Sequence, residues 1–400
     1  MENTPLFSVI LLHYNQPQYV KTAIDSILTQ DYSDIELIFA DDASKAIDID
    51  DLEKYIDENR KENLKNVIWQ INPNNLGTVK SLNLAVKKCT GKYILFFAAD
   101  DALYNKKVIS NFVHSLEKAP GDVYMISAQC HMMDSELLKD TGSFVNPSEG
   151  AAFNNKTAQQ QFVVFANNCF LAIGATAMKA EMFDKFGAFD ERYTLVEDWA
   201  YYLKLTRSGG RILYADFDAL LHRDGGVSHY NQTGIVPEHV KKYKYDIASI
   251  FENEIMPYMK GFSLNDKYVA LERYKYFRRD YKESGGERAL LPMPVFVKKY
   301  PMLFLRKGIS VILQESFKAA KTCCKLLISL LIIWGSLSIV ALTSSGLSAF
   351  GGTSVALKLL PFIISLIQNI LPVAIIVFAV FTLLFVIAAL LYKIRRSLKG

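Results

Sequence analysis

Three groups of acidic residues have the types and spacing that do chemistry: Asp41-Asp42 followed by Ser44, Asp100-Asp101, and Glu197-Asp198. The first two pairs directly follow apolar runs of strand length, residues 35–40 and 93–97, so they sit where a strand ends and a loop begins. Acids there do not read as core. A lone Asp in such a place caps the next helix, whereas two pairs at two strand ends offer hard oxygen ligands to a divalent ion and, through it, to a diphosphate. Asp100 is the first candidate ligand, with Mg²⁺ or Mn²⁺ as the cofactor. Glu197 and Asp198 precede apolar residues at Trp199, Tyr202, Leu203 and Leu205, the spacing of a helix whose N-terminus favours acids by its dipole alone. No second His or Cys stands at zinc spacing, and His229 reads as a packing or surface residue. There is no GxGxxG after the first apolar run, and Gly91-Lys92 is followed by Tyr93, so neither a dinucleotide fingerprint nor a Walker A loop is present.

The elements that must position these acids alternate. Residues 7–12 form a continuous apolar run of strand length, and Pro17 opens a helix with apolar positions at Tyr19, Val20, Ala23, Ile24, Ile27 and Leu28. The pattern continues with strands over 35–40, 67–71, 93–97 and 123–127 and helices up to about residue 60, over 78–88 and over 106–118. Such alternation predicts an α/β domain with a mainly parallel sheet, whose ligands lie beyond the carboxyl ends of the strands.

With the elements in place, the motifs become familiar. His13-Tyr14-Asn15, Asp41-Asp42-Ala43-Ser44, Asn75-Leu76-Gly77 with Asn83, Thr90-Gly91-Lys92-Tyr93-Ile94 and Ala99-Asp100-Asp101 resemble, in order, the nucleotide-sugar half of family 2 glycosyltransferases of the Rossmann-like GT-A fold. Phe189-Asp190-Glu191, Val196-Glu197-Asp198-Trp199 and Leu221-His222-Arg223 through Ser228-His229 resemble that family's acceptor side. The resemblance covers about residues 6–230. It implies inverting transfer from a nucleoside diphosphate sugar, with Asp198 as the general base, Glu197 beside it, and Asp100 holding the metal. Tyr14, Asn15, Asp41, Asp42, Asn75, Gly77, Lys80, Asp100, Asp101, His222 and Arg223 are the residues it assigns to the nucleotide sugar. Two departures stand out: Ala98 replaces the first acid of the family's Asp-x-Asp, and His222-Arg223 stands where Tyr-Arg is common.

The remainder of the chain differs in charge. Residues 293–400 carry twelve Lys or Arg and one acid, Glu315, a net of +11, which leaves the preceding 292 residues at −7 although the whole chain is +4. An acidic body argues against nucleic acid as a partner. Five cysteines without CxxC pairing exclude a disulfide framework. Residues 326–342 and 370–392 are apolar and long enough to cross a hydrocarbon core of roughly 30 Å; Lys358 is the only charge between Lys325 and Lys393. The basic flanks place both ends of this hairpin in the cytoplasm.

The sequence therefore predicts a catalytic domain over 1–230, a helical connector over 231–294, and a basic amphipathic juxtamembrane segment over 295–325. Two transmembrane helices with a short external loop follow over 326–392, then a basic cytoplasmic tail over 393–400. The expected protein is a multi-pass cell-membrane glycosyltransferase with its catalytic domain in the cytoplasm. Its expected partners are a nucleoside diphosphate sugar, a lipid-linked or polysaccharide acceptor and the lipid bilayer, and a homo-oligomer is compatible with the sequence. A polyprenyl-phosphate sugar transferase and a non-catalytic sugar-nucleotide-binding protein are the alternative readings.

Overall fold

The computed structural model describes residues 4–225 and 236–290, together with Ser365. The chain divides into two units, Met1–Leu290 and Leu291–Gly400. Within the first, nine strands form one mixed sheet: β1 (Phe7–His13), β2 (Ile35–Asp41), β3 (Leu64–Ile71), β4 (Tyr93–Ala98), β5 (Ala102–Leu103), β6 (Val123–Met133), β7 (Asp140–Ser143), β8 (Thr176–Lys179) and β9 (Arg211–Arg223). The order is β3-β2-β1-β4-β8-β6-β9-β5, with β7 paired to β6.

The expected mainly parallel sheet holds for the first half only. Strands β3, β2, β1 and β4 are parallel, as are β6 and β9, but β8 runs antiparallel to both β4 and β6, and β5 and β7 add antiparallel pairs. The reason is topological: β8 reaches the sheet edge of β4 through helical segments that return it from the opposite end, so the alternation rule for parallel crossovers does not apply to it. The fold is mixed α/β.

Helices α1 (Val20–Leu28), α2 (Ile49–Asn59), α3 (Thr78–Val86) and α4 (Val108–Lys118) cover the first half. In α1 the apolar positions Val20, Ala23, Ile24, Ile27 and Leu28 are all buried, as their spacing requires. Strand β2 is buried along its whole length and β1 at six of seven positions, hence their unbroken apolar runs. Both acids of β2, Glu36 and Asp41, are buried. Glu36 accepts Ser8 Oγ at 2.5 Å, the Thr90 N–H at 2.6 Å and the Gly91 N–H at 3.0 Å. Gly91 has to be glycine, because a Cβ there would lie 2.5 Å from Ser8 Oγ and 2.8 Å from the Leu6 carbonyl.

The second half contributes α5 (Pro147–Asn154), α6 (Ala158–Asn167), α7 (Glu181–Phe186) and α8 (Glu197–Arg207). The connector folds onto this body as α9 (Glu238–Ile250), a short π- and 3₁₀-helical passage over Phe251–Ile255 and Met256–Gly261, and α10 (Leu264–Glu283). Trp199 of α8 meets Phe251 edge-on at 5.6 Å and Phe277 of α10 at 6.4 Å.

One expectation is corrected: among the described residues no helix is long and apolar enough to cross a membrane, which overturns a multi-pass cell-membrane localisation with a cytoplasmic catalytic domain. The segments read as spans, 326–342 and 370–392, the basic segment from residue 295 and the tail from 393 lie outside the described residues.

Candidate active site

The site is built where β1, β2 and β4 end together. Leu12 lies opposite both Ala40 and Ala98, and His13 opposite Asp41, so the loops that follow emerge along one line. Asp41 and Asp42 are buried, against the expectation that acids after a strand stay out of the core, because protein donors replace water around them. His13 Nδ1 lies 2.7 Å from Asp41 Oδ1, and the Ser44 N–H donates to Asp41 Oδ2 at 2.9 Å. Burial pushes the Asp41 carboxyl up, but the donors from His13 and Ser44 outweigh it and leave it below the usual range. Ser44 Oγ accepts the Asn15 N–H at 2.8 Å, and Asn15 and Ala43 both take left-handed backbone, φ 53° and 64°. Tyr14 is exposed beside them.

Asp42 braces the third loop. Its Oδ1 accepts Asn72 Nδ2 and the Leu76 N–H, both at 2.9 Å, and its Oδ2 accepts the Gly77 N–H at 2.8 Å. Asn75 Oδ1 accepts the same Gly77 N–H at 3.0 Å. Gly77 starts α3 at φ 84°, ψ 159°, a conformation that side chains rarely tolerate. Lys80 is exposed on α3.

The end of β4 is tied to the end of β9. Asp101 is buried and accepts His222 Nδ1 and the Arg223 N–H at 3.0 Å each. Burial pushes the Asp101 carboxyl up, opposed by His222; the same pairing raises the His222 pKa against its own burial. Arg223 Nε donates to the Asp100 carbonyl at 2.8 Å, its Nη1 donates to the Ser135 carbonyl, and its guanidinium stands 4.0 Å from the Tyr19 ring centre. The Asp100 carboxylate is half-buried and accepts Gln16 Nε2 at 2.7 Å through Oδ2.

A cleft of about 540 Å³ joins this strand end to the second half of the domain. It is lined by Leu12, Thr78, Ala98, Asp101 and His222, by Glu197, Asp198 and Trp199 at the start of α8, and by Tyr243, Arg273 and Phe277 from α9 and α10. The cleft thus brings Asp101, His222, Glu197 and Asp198 together. Tyr14, Asn15, Asp41, Asp42, Asn75, Gly77 and Lys80 do not line it; they sit on the neighbouring loops, and Asp100 and Arg223 stand one residue behind its wall. A larger cavity, about 620 Å³, lies at the amino end of β4 around Lys92 and Glu117, away from every strand-end acid.

Glu197 and Asp198 open α8, where the helix dipole stabilises their charged forms by roughly 0.3–1 kcal/mol. Desolvation is larger. It pushes the Asp198 carboxyl up to about 6, against the donation from the Trp199 N–H at 2.6 Å, and with repulsion from Asp198 it pushes Glu197 up to about 8. One unit corresponds to about 1.4 kcal/mol, so the dipole cannot cancel a shift of this size at Glu197. Burial and mutual repulsion therefore disfavour a second negative charge on the pair.

Several supporting residues escaped the sequence reading. Asp246 of α9 is buried and accepts the Thr194 and Leu195 N–H groups at 2.6 and 2.9 Å. Glu254 is buried between Arg192 and Arg207, each at 2.6 Å. Asn83, which the sequence motifs did include, receives the Phe189 N–H at 3.0 Å and donates to the Phe189 carbonyl at 2.9 Å. Together these fix the chain from Phe189 to Asp198. Nothing in the residue types of the connector marks Asp246 or Glu254, because their partners are backbone groups and arginines more than forty residues away in sequence.

Comparison with known proteins bears on this arrangement. Residues 8–187 match glycosyl transferase family 2. An uncharacterized glycosyltransferase of Haemophilus influenzae is 27% identical over 267 residues, 64% of this chain and 77% of that protein. The poly(ribitol-phosphate) beta-N-acetylglucosaminyltransferase TarS of Staphylococcus aureus is 31% identical over 122 residues, 30% of this chain. The chain spans only 20% of that protein's length, and 40% of a second H. influenzae glycosyltransferase. Among solved structures, S. aureus TarS 1–349 in complex with UDP-GlcNAc aligns over 67% of this chain and 71% of its own, at TM-score 0.46 and 19% identity. The mannosyltransferase PcManGT from Pyrobaculum calidifontis in complex with GDP-Man and Mn²⁺ aligns over 76% and 81%, at TM-score 0.46 and 17% identity. Residues 8–187 are thus similar to glycosyl transferase family 2, and the chain is a glycosyltransferase.

Proposed function

We propose that this protein transfers a sugar, with inversion, from a nucleoside diphosphate sugar to a hydroxyl of a polysaccharide or lipid-linked glycan acceptor. The observation that supports it most is the position of Asp198, an acid shifted toward neutrality, in one cleft with the joined ends of β4 and β9. Asp198 takes the proton of the acceptor hydroxyl as its oxygen bonds to the anomeric carbon and the bond to the leaving diphosphate breaks. With a second charge on the pair disfavoured, Asp198 serves as the single base. The loops holding Tyr14, Asn15, Asp41, Asp42, Asn75, Gly77 and Lys80 form the nucleotide side, with Asp101 fixing His222 and Arg223 toward the diphosphate. The names of two relatives support a polymer acceptor: the S. aureus enzyme above, and an amylovoran biosynthesis glycosyltransferase of Erwinia amylovora, 25% identical over 206 residues.

The donor set fits a divalent cation. Among the described residues no group of three His, Cys, Asp or Glu side chains gathers at metal spacing, so these residues build no closed cage. A single half-buried carboxylate, Asp100, at a strand end suits Mg²⁺ or Mn²⁺, which bind through one or two carboxylates plus substrate phosphates. Bound there, the ion would neutralise charge on the leaving diphosphate. The test is donor consumption by the purified full chain across UDP, GDP and dTDP sugars. If nucleotides bind but no donor turns over with any glycan or lipid acceptor extract, a non-catalytic binding role replaces this reading.

A further inference from the structure

The wall of the cleft made by the connector helices carries a cation with no ion pair among the described residues. Arg273 of α10 is the only Lys or Arg among the described residues lining the cleft. Its Nε is buried and has no hydrogen-bond partner among the described residues, and its guanidinium stands 5.4 Å from the Phe277 ring centre. Arg192 is paired with Asp190 and Glu254, Arg207 with Glu254 and Arg211 with Asp122; Arg278 of α10 shares an unpartnered buried Nε but does not line the cleft. Burial lowers the Arg273 pKa from its ordinary value, only partly countered by Tyr276, and no carboxylate contributes. A half-buried guanidinium whose buried Nε has no acceptor is held at a cost, which an incoming oxyanion removes.

Its place in the cleft indicates which substrate would bring that anion. Phe277, one helical turn from Arg273, packs against Trp199, the residue next to Asp198. The proposed nucleotide side is made of the loops after β1, β2 and β3, none of whose assigned residues lines the cleft beside Arg273. We propose that Arg273 is an acceptor subsite, binding a phosphate or carboxylate group carried by the acceptor near the hydroxyl that Asp198 deprotonates. This rests on the proposed role of Asp198. A planar guanidinium fork matches both oxyanions and gives a neutral acceptor nothing equivalent.

The test uses the full chain and calorimetric titration, with and without UDP. The probes are glycerol 1-phosphate and methyl glucuronide, each against its neutral counterpart, glycerol or methyl glucoside. The native protein should prefer at least one anionic probe by about tenfold or more. Arg273→Gln should abolish the preference, and Arg273→Lys, which keeps the charge without the fork, should retain part of it. Which probe is preferred identifies the oxyanion. No preference in the native protein, or a preference that survives Arg273→Gln, overturns the proposal, and so does a variant that loses UDP affinity with the anion preference intact. Should Arg273→Gln fail to fold, the native preference and its reduction in Arg273→Lys decide. Loss of native UDP binding would instead count against the donor site, so the two failures are distinguishable.

Discussion

Asp246 accepts the backbone N–H of Leu195 at 2.9 Å, two residues before Glu197, and the same carboxylate oxygen accepts that of Thr194 at 2.6 Å. A connector helix therefore sets how the chain enters α8. Asp246→Ala leaves two N–H groups without their acceptor and should cost about 1–3 kcal/mol. Thermal unfolding should show a Tm lower by several degrees, and steady-state kinetics a fall in kcat larger than any rise in KM. Asp246→Asn, which keeps one carbonyl oxygen, should be milder in both. A kcat unchanged in Asp246→Ala would show that the entry to α8 is held by other contacts.

The acid pair makes a pH prediction with a definite sign. Asp198 has to be ionised to act as a base, so kcat should climb with pH along one acid limb near 6. Glu197 is repelled by Asp198, while burial dominates at Asp198 itself, so Glu197→Gln should leave the limb in place. Stability runs the other way. Between the ordinary Glu value of 4.5 and about 8 the folded state holds a proton that the unfolded chain releases, so stability should fall as pH rises through that window. Denaturant unfolding at pH 5 and pH 9 should show a smaller loss in Glu197→Gln.

Asp42 and Gly77 make one turn, and the two should fail alike. Asp42→Ala removes the acceptor of the Leu76 and Gly77 N–H groups, and Gly77→Ala forces a side chain into φ 84° at about 1–3 kcal/mol. Nucleotide affinity, read by calorimetry, should drop about tenfold or more in each, with little further loss in the double variant because both break the same loop.

Removal of divalent ions by a chelator should lower donor turnover, and Asp100→Asn should raise the Mn²⁺ concentration giving half-maximal rate by about tenfold or more. Turnover insensitive to both would remove Asp100 from the diphosphate.

Much of the nucleotide half was legible in the sequence. The apolar runs over 7–12, 35–40 and 93–97 became strands with boundaries shifted by one residue, because strands buried on both faces admit no polar interruption. The Glu197-Asp198 helix start was legible for the same reason: Trp199, Tyr202, Leu203 and Leu205 are all buried. What escaped reading was long-range. Nothing local marks β8 as antiparallel, and Asp41 and Asp42 look like surface acids until His13, Asn72 and the Gly77 turn are seen to satisfy them. Arg273 is unremarkable in a Lys- and Arg-rich helix; only packing against the cleft distinguishes it.

The most direct test of the account is transfer by the purified full chain and by Asp198→Asn, side by side, with the nucleotide sugar that the native protein consumes. The account predicts that Asp198→Asn binds the nucleotide normally while kcat falls by about 10²–10⁴-fold. Transfer by Asp198→Asn at a rate within a few fold of native would contradict it.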